Sequence, residues 1–230
     1  LGFSGGVMIY VSMIEIYAKA KISLVAELGE KPGSWATVAA FFGGMLLIGL
    51  IDKAIPKGEN PHEMHRVEEL CESGVCISKT KLLRTGVFTA LAVGIHNFPE
   101  GLATFISALQ EPSIAIPITI AIAIHNIPEG IAVSVPVYYA TGSKRKAFTY
   151  SFLSGISEPI GALIGYLILM PFINGVMFGV IFAAVAGIMV FISLDELLPS
   201  AREYGEAHLS IYGLVSGMVV MAVSLLLFIK

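Results

Sequence analysis

The pattern His-Asn-x-Pro-Glu-Gly occurs twice in this sequence, beginning at His96 and again 29 residues later at His125. In an α-helix, residues four apart lie on one face about one turn apart, so His96 stacks over Glu100 and His125 over Glu129. Imidazole nitrogens and carboxylate oxygens are ligands of divalent transition metals. The proline in each copy also leaves one backbone carbonyl without its helical donor. Each copy therefore predicts a two-ligand edge on a helix.

Further donor groups accompany these two edges. Glu158 lies in a Ser-Glu-Pro segment half-way along an apolar run, and each motif contains an asparagine, Asn97 or Asn126. A carboxylate at mid-bilayer depth is costly without a partner, and a divalent cation provides one. Mixed His and Glu ligands without cysteine suit Zn²⁺, Fe²⁺, Mn²⁺ or Co²⁺, and they can hold two metals bridged by Glu100 and Glu129. The alternative is that these residues are structural polar groups that join helices at kinks. For the two asparagines, this structural role and metal binding are equally favoured.

The amino-acid composition indicates whether these groups lie in a water-soluble protein or in a membrane protein. Of the 230 residues, 56% are hydrophobic and 13% are charged, with a mean hydropathy of +0.83. A soluble domain carries about 25% charged residues, so a soluble globule, a disordered chain and a disulfide-stapled domain are excluded. The net charge of −3 offers no basic surplus for nucleic acid, so we expect no such partner. A polytopic membrane protein remains, and its first partner is the lipid bilayer.

Seven apolar runs are long enough to cross a bilayer core of roughly 30 Å, which requires about 20 helical residues. Both motif histidines lie about twelve residues into a run, which at about 1.5 Å per residue is near the midplane. The sequence therefore predicts an all-α fold, a polytopic transmembrane helix bundle forming a single domain over residues 1–230. The runs are approximately 1–19, 35–52, 84–109, 113–139, 147–170, 174–198 and 211–229.

The distribution of Lys and Arg predicts the orientation. The loop at 53–83 with the adjacent Arg84 and two shorter loops on the same side carry ten basic residues, whereas the other side carries four. The positive-inside rule places the ten in the cytoplasm, so the 53–83 loop is cytoplasmic and the C-terminus lies outside. The sequence begins at Leu1 inside an apolar run without the features of a signal peptide, so we expect at least one helix upstream.

Taken together, these residues resemble the ZIP (Zrt/Irt-like) family of divalent metal transporters, most closely its bacterial branch. The resemblance rests on the doubled motif, on the segment around Glu158 and on the Asp-Glu-Leu-Leu-Pro that ends at Pro199. It implies a fold of eight spans with both termini outside, of which this chain corresponds to spans two to eight. It also implies uptake of zinc, or of iron, manganese, cobalt or cadmium, across a bacterial inner membrane by alternating access.

The resemblance further implies a binuclear site at mid-membrane. One metal would be held by His96, Glu100, His125 and Glu129. The second would be held by Asn97, Asn126 and Glu158 together with the two bridging glutamates. The family takes one more ligand from its second span, and the matching residue here is Met8, although a methionine in a membrane helix is equally often a packing residue.

Several other residues have two interpretations each. Glu15, toward the outer end of the first run, either guides cations at an entrance or is an interfacial residue. Asp195 and Glu196 either form an exit relay or cap a helix end. His62 and His65 in the long loop either bind metal or belong to a solvated segment, which we favour.

The main hypothesis is a divalent metal transporter with no catalytic cofactor, the metal being its substrate. One alternative is an intramembrane binuclear metalloenzyme that activates water. A channel-like metal pore and a structural protein stabilised by bound metal are the others. Small residues such as Gly43 and Gly44 permit close helix packing within or between chains, so a homodimer stays open.

Overall fold

The computed structural model describes residues 1–54, 79–110, 112–169, 171, 174–203 and 207–227. Within these ranges the chain is almost entirely helical and contains no strand, which confirms the all-α bundle. Most of the 53–83 loop falls at residues 55–78 and lies outside the described residues. The helices are α1 (Gly2–Tyr10), α2 (Tyr17–Leu28), α3 (Glu30–Ala54), α4 (Lys79–Gln110), α5 (Pro112–Thr141), α6 (Lys144–Gly155), α7 (Ser157–Ile164), α8 (Gly175–Ile192), α9 (Leu198–Glu203) and α10 (Ala207–Leu227).

Helix coincides with each of the seven predicted apolar runs. In the part of the chain that the structure describes, four segments are both long enough and apolar enough to cross a membrane by length and composition. In three of the four segments most residues are exposed on the outside of the bundle, as expected in lipid, whereas Gly175–Asp195 is mostly buried inside the protein. The protein is therefore a membrane protein. The four segments are Glu30–Lys53, Lys144–Ile168, Gly175–Asp195 and His208–Leu227.

The first helix is longer than its apolar run. α1 continues through a π-helical turn at Val11–Ile16 into α2, and the helix ends only at Leu28, before Gly29 with a φ of 87°. The Nζ atom of Lys19 lies 3.2 Å from Oε1 of Glu15, one turn away. This pair supports the helix within the run, and beyond the run α2 packs against α3 and α8. The apolar run therefore predicted the crossing but not the helix end.

The helices form two groups. We call α4, α5, α6 and α7, which pack on one another and carry both motifs, the motif bundle. The flanking bundle consists of α1, α2, α3, α8 and α10, whose principal contacts are also with one another. The two bundles meet where α1 contacts α5 and where α4 contacts α8. The motifs therefore lie in one bundle, and the other bundle provides the wall opposite them.

Three pairs of helices cross at glycines that pack directly on a backbone carbonyl of the partner helix. In each pair, a glycine of the first helix lies against a backbone carbonyl of the second helix. Three residues after that carbonyl, the second helix has its own glycine, which lies against a carbonyl of the first helix in the same way. None of these glycines has room for a Cβ atom, so each crossing depends on the small residue. The contacts are Gly6 with Leu214 and Gly217 with Phe3 (α1–α10), Gly44 with Ala184 and Gly187 with Phe41 (α3–α8), and Gly101 with Glu158 and Gly161 with Phe98 (α4–α7).

Candidate metal centre

The first motif lies within α4, which continues through Pro99 without interruption. Asn97 and Glu100 are three residues apart and therefore share a helix face, and each is only 2% exposed. The hydroxyl of Thr104 donates a 2.9 Å hydrogen bond to the backbone carbonyl of Glu100. α4 thus holds an amide and a carboxylate inside the protein, as the sequence predicts.

The second motif lies within α5. Glu129 is 3% exposed and Asn126 is partly buried, again three residues apart on one face. The hydroxyl of Ser151 donates a 3.1 Å hydrogen bond to the carbonyl of Gly130, which joins α5 to α6 directly after the glutamate. The absence of a side chain at Gly130 permits this approach, because a Cβ there would lie 3.0 Å from the Ser151 oxygen.

A direct contact joins the second motif to Glu158. Nδ2 of Asn126 donates a 2.8 Å hydrogen bond to Oε2 of Glu158. The other amide atom, Oδ1 of Asn126, is buried and makes no hydrogen bond with any described residue. A buried oxygen in that condition is costly and is a suitable ligand for a cation. The structure therefore brings together two of the predicted ligands from different helices.

Glu158 occupies a break in its span that the sequence analysis did not predict. α6 ends at Gly155 and α7 begins at Ser157, with Ile156 between them at a ψ of −13°. Glu158 therefore lies in the first turn of a helix, where the partial positive charge of the N-terminus favours a carboxylate. Pro159 is compatible with this position because a first-turn residue has no helical hydrogen bond to lose.

The crossing of α4 and α7 sets the level of Glu158 relative to the first motif. Gly101, directly after Glu100, packs on the backbone carbonyl of Glu158, and Gly161 packs on the carbonyl of Phe98. The glycine that ends the first motif thus allows α7 to approach the glutamate beside it. α4, α5 and α7 together bring acidic and amide groups from three helices to one region of the motif bundle.

The motif histidines are described by their backbones alone. His96 and His125 lie within α4 and α5, but their side chains fall outside the described residues. Among the side chains that the structure does describe, no group of three or more His, Cys, Asp and Glu residues has metal-binding geometry. The ligand set as a whole therefore stays a prediction.

Met8 lies on α1, in the flanking bundle, and is 1% exposed. It belongs to a buried apolar cluster that also includes Ile122 of α5, one turn before the second motif. Ser12, one turn after Met8, is fully buried, and its hydroxyl makes no hydrogen bond with any described residue. The sequence analysis did not select Ser12, although its spacing of four from Met8 was a signal that could have done so.

The other candidates lie apart from this region or outside the described residues. Glu15 is mostly buried and forms an ion pair with Lys19, one turn away on the same helix. Asp195 is exposed in a π-helical turn at Ser193–Leu197. The side chain of Glu196 and the whole of His62 and His65 lie outside the described residues.

Asn97, Glu100 and Glu129 are buried on helices that pack among segments long and apolar enough to cross a membrane. This defines a polytopic membrane protein with a polar centre, a class in which such groups mark substrate or ion pathways. The chain belongs to the ZIP zinc transporter family, because the family model described as "ZIP Zinc transporter" matches residues 52–225. This membership indicates a transporter and not an enzyme.

Relatives named "Zinc transporter ZupT" match essentially the entire chain. The protein of Streptococcus mutans is 68% identical over 229 residues, covering 100% of this chain and 85% of the relative. The protein of Oceanobacillus iheyensis is 65% identical over 227 residues, covering 99% of this chain and 85% of the relative. The protein of Clostridium perfringens is 64% identical over 240 residues, covering 100% of this chain and 84% of the relative. The resemblance inferred from the motifs is confirmed.

Proposed function

We propose that this protein carries zinc into the cytoplasm through a binuclear site in the motif bundle, by alternating access. The observation that supports the site most directly is the hydrogen bond between Asn126 and Glu158, next to a buried amide oxygen that has no donor among the described residues. The names of the relatives support zinc as the substrate. Fe²⁺, Mn²⁺, Co²⁺ and Cd²⁺ are further substrates of the same ligand chemistry.

Charge balance permits two metal ions. Glu100, Glu129 and Glu158 together carry three negative charges, so one divalent ion leaves one negative charge in excess and two leave one positive charge in excess. Glu100 and Glu129, each almost completely buried, are the bridging groups in this proposal. His96 and His125 complete the first metal, and Asn97, Asn126 and Glu158 complete the second, with Met8 as an additional ligand from the flanking bundle.

The boundary between the two bundles supports alternating access. A cavity of about 430 Å³ lies there, lined by Ile48 and Ile188 of the flanking bundle and by Gly94 and Phe98 of the motif bundle. Within each bundle, by contrast, glycines hold helices in direct backbone contact. Movement of one bundle against the other would repack only the boundary, and both bundles together form one transporter domain.

Zinc flux into proteoliposomes tests the proposal. With the wild-type chain, zinc should enter the proteoliposomes and bind a zinc-sensitive dye. This flux should be saturable and should be accelerated by zinc on the opposite face of the membrane. Glu129→Gln should abolish the flux. Glu30→Gln, an exposed residue in the first turn of α3, is the matched control and should keep it. Wild-type flux in Glu129→Gln would overturn the site, whereas linear, non-saturating flux would overturn the carrier mechanism in favour of a pore.

Competition extends the same assay to the other metals and to the orientation. Fe²⁺, Mn²⁺, Co²⁺ and Cd²⁺ added outside should each lower zinc loading if they share the ligands. Protease cleavage within residues 55–78 from the inner face of oriented vesicles would support the cytoplasmic position of that loop. Cleavage from the outer face would contradict it.

A further inference from the structure

A groove between α5 and α6, on the outer face of the motif bundle, is not used by the proposed transport mechanism. Its volume is about 560 Å³, within the roughly 300–1,000 Å³ typical of small-molecule sites. Ile127 and Ile131 form one wall and Phe148 the other, and all three are largely exposed. Lys144 lies at the end nearest the α5–α6 turn.

The sequence explains why the groove is open. Small residues, Gly130, Ser134, Ala147 and Ser151, line its floor between the large side chains of the walls. The two serine hydroxyls are already committed to backbone carbonyls, Ser151 to Gly130 at 3.1 Å and Ser134 to Ile131 at 3.2 Å. Since these polar atoms are satisfied within the protein, the floor offers a surface suited to an apolar ligand.

The end of the groove nearest the turn is basic. Lys144 lines the groove, and Arg145 and Lys146 follow it outside the lining. All three are exposed, and none of them forms an ion pair with a residue that the structure describes. They begin α6, whose N-terminus adds partial positive charge. Lys144 is also the first residue of a segment long and apolar enough to cross a membrane, so the three cations lie at one end of that segment.

Aromatic residues mark the same level. Tyr138 and Tyr139 line the groove near the end of α5, with ring centroids 5.9 Å apart, and aromatic side chains of this type favour the headgroup region. From Lys144 to Ser151 the helix rises about 10 Å. The groove therefore begins at the headgroup level and extends into the hydrocarbon layer.

We propose that this groove binds an anionic phospholipid from the leaflet in which the α5–α6 turn lies. The phosphate contacts Lys144, which lines the groove, while Arg145 and Lys146 beside it add long-range attraction for the acidic headgroup. The upper part of one acyl chain lies between Ile131 and Phe148. Charge complementarity selects this occupant, because basic clusters between membrane helices attract anionic headgroups. The floor of the groove continues into Gly130, so the lipid lies on the outer face of the helix that carries Glu129.

Native mass spectrometry of the delipidated chain, titrated with phosphatidylglycerol or phosphatidylcholine, tests this site. We expect one phosphatidylglycerol to bind with saturation and phosphatidylcholine to bind far more weakly. Replacing Lys144, Arg145 and Lys146 together by Gln should weaken phosphatidylglycerol binding by on the order of a hundredfold. The matched control, Lys21→Gln with Lys31→Gln, removes exposed cations elsewhere and should leave binding unchanged. Equal binding of both lipids, or equal loss in variant and control, would overturn the proposal.

A second pair of variants tests the groove separately from the charges. Ser134→Phe fills the groove and should displace the lipid, whereas Thr149→Phe adds the same ring at an exposed position of α6 outside the lining and should not. Retention of phosphatidylglycerol in folded Ser134→Phe would contradict an acyl chain in the groove.

Two further arms identify the source of the ligand. Glycerol phosphate should not compete at concentrations that match the lipid, because it lacks the acyl chain, and competition would indicate a simple anion site. Cysteine cross-linking at Phe148→Cys between chains in lipid nanodiscs should be absent. Efficient cross-linking would mean that a second copy covers the groove and would overturn the lipid proposal.

Discussion

Nδ2 of Asn126 donates a 2.8 Å hydrogen bond to Oε2 of Glu158, which joins the second motif on α5 to the broken span of α6 and α7. The bond orients the amide so that its buried Oδ1 faces away from Glu158, and no described residue donates to that oxygen. If Asn126 is a metal ligand, as proposed, this bond holds its amide in place before any metal arrives, which is the usual effect of hydrogen bonds that support ligands.

Asn126→Ala should therefore weaken zinc uptake and zinc affinity by about 10- to 100-fold, the range observed when supporting partners of metal ligands are lost. Zinc flux in proteoliposomes and calorimetric titration in detergent measure the two quantities. The control is Asn174→Ala, which removes the side chain that caps α8 by accepting a 2.8 Å bond from the Met177 amide. It should cost about 1 kcal/mol of stability and leave uptake intact. Equal loss of uptake in both variants would remove Asn126 from the site.

Two adjacent glycines on α3 allow a test of the glycine-dependent helix crossings. Gly44 packs on the carbonyl of Ala184, whereas Gly43 has no atom within 4 Å of an added Cβ. Gly44→Ala should destabilise the flanking bundle by about 1–3 kcal/mol through overpacking. Gly43→Ala should be neutral or stabilising by up to about 1 kcal/mol, because alanine is the better helix former. Thermal unfolding in detergent measures both, and the same midpoint for the two variants would contradict the crossing.

The sequence alone was sufficient to predict the parts of the fold that depend on the surrounding lipid. Apolar length predicted helix in each of the seven runs, and the spacing of four within each motif predicted that its histidine and glutamate share a helix face. Both follow from local composition and helix periodicity, because a long apolar helix has few alternatives in a bilayer.

The parts that depend on tertiary packing could not be predicted in this way. The extension of the first helix to Leu28 accompanies the packing of α2 against α3 and α8, and the sequence analysis placed no break at Ile156. The sequence contains 24 glycines, and nothing in their local context distinguishes Gly43 from Gly44. Only the partner helix does so, which is why the reciprocal crossings and the α5–α6 groove emerge from the structure alone.

Charge at Glu158 should decide how many metals the site holds. Glu158→Gln keeps an oxygen that can accept from Asn126 but removes the negative charge, so the proposed second metal should be lost while the first remains. Equilibrium dialysis should show zinc stoichiometry falling from two to one per chain. A stoichiometry of two in Glu158→Gln, or of one in the wild type, would contradict the binuclear proposal.

The cavity between the bundles allows a test of their relative movement. Gly94 lines this cavity, and the nearest atoms to an added Cβ lie 3.9 Å away, so Gly94→Ala should fit without effect. Gly94→Leu should fill the cavity and stabilise this arrangement of the bundles over the other. Maximal zinc flux should then fall while zinc affinity changes little. Unchanged flux in Gly94→Leu would indicate that the boundary does not rearrange during transport.

Zinc itself should stabilise the folded protein. A ligand that binds only the folded state contributes about 2.7 kcal/mol at a free concentration 100 times its dissociation constant, so adding zinc should raise the unfolding midpoint and a chelator should reverse the rise. Glu129→Gln should remove most of this increase, because the lost carboxylate is the proposed bridge between both metals. Glu30→Gln should retain it, since that side chain is exposed in the first turn of α3. A midpoint that rises equally with zinc in all three proteins would place the stabilising metal outside the motif bundle.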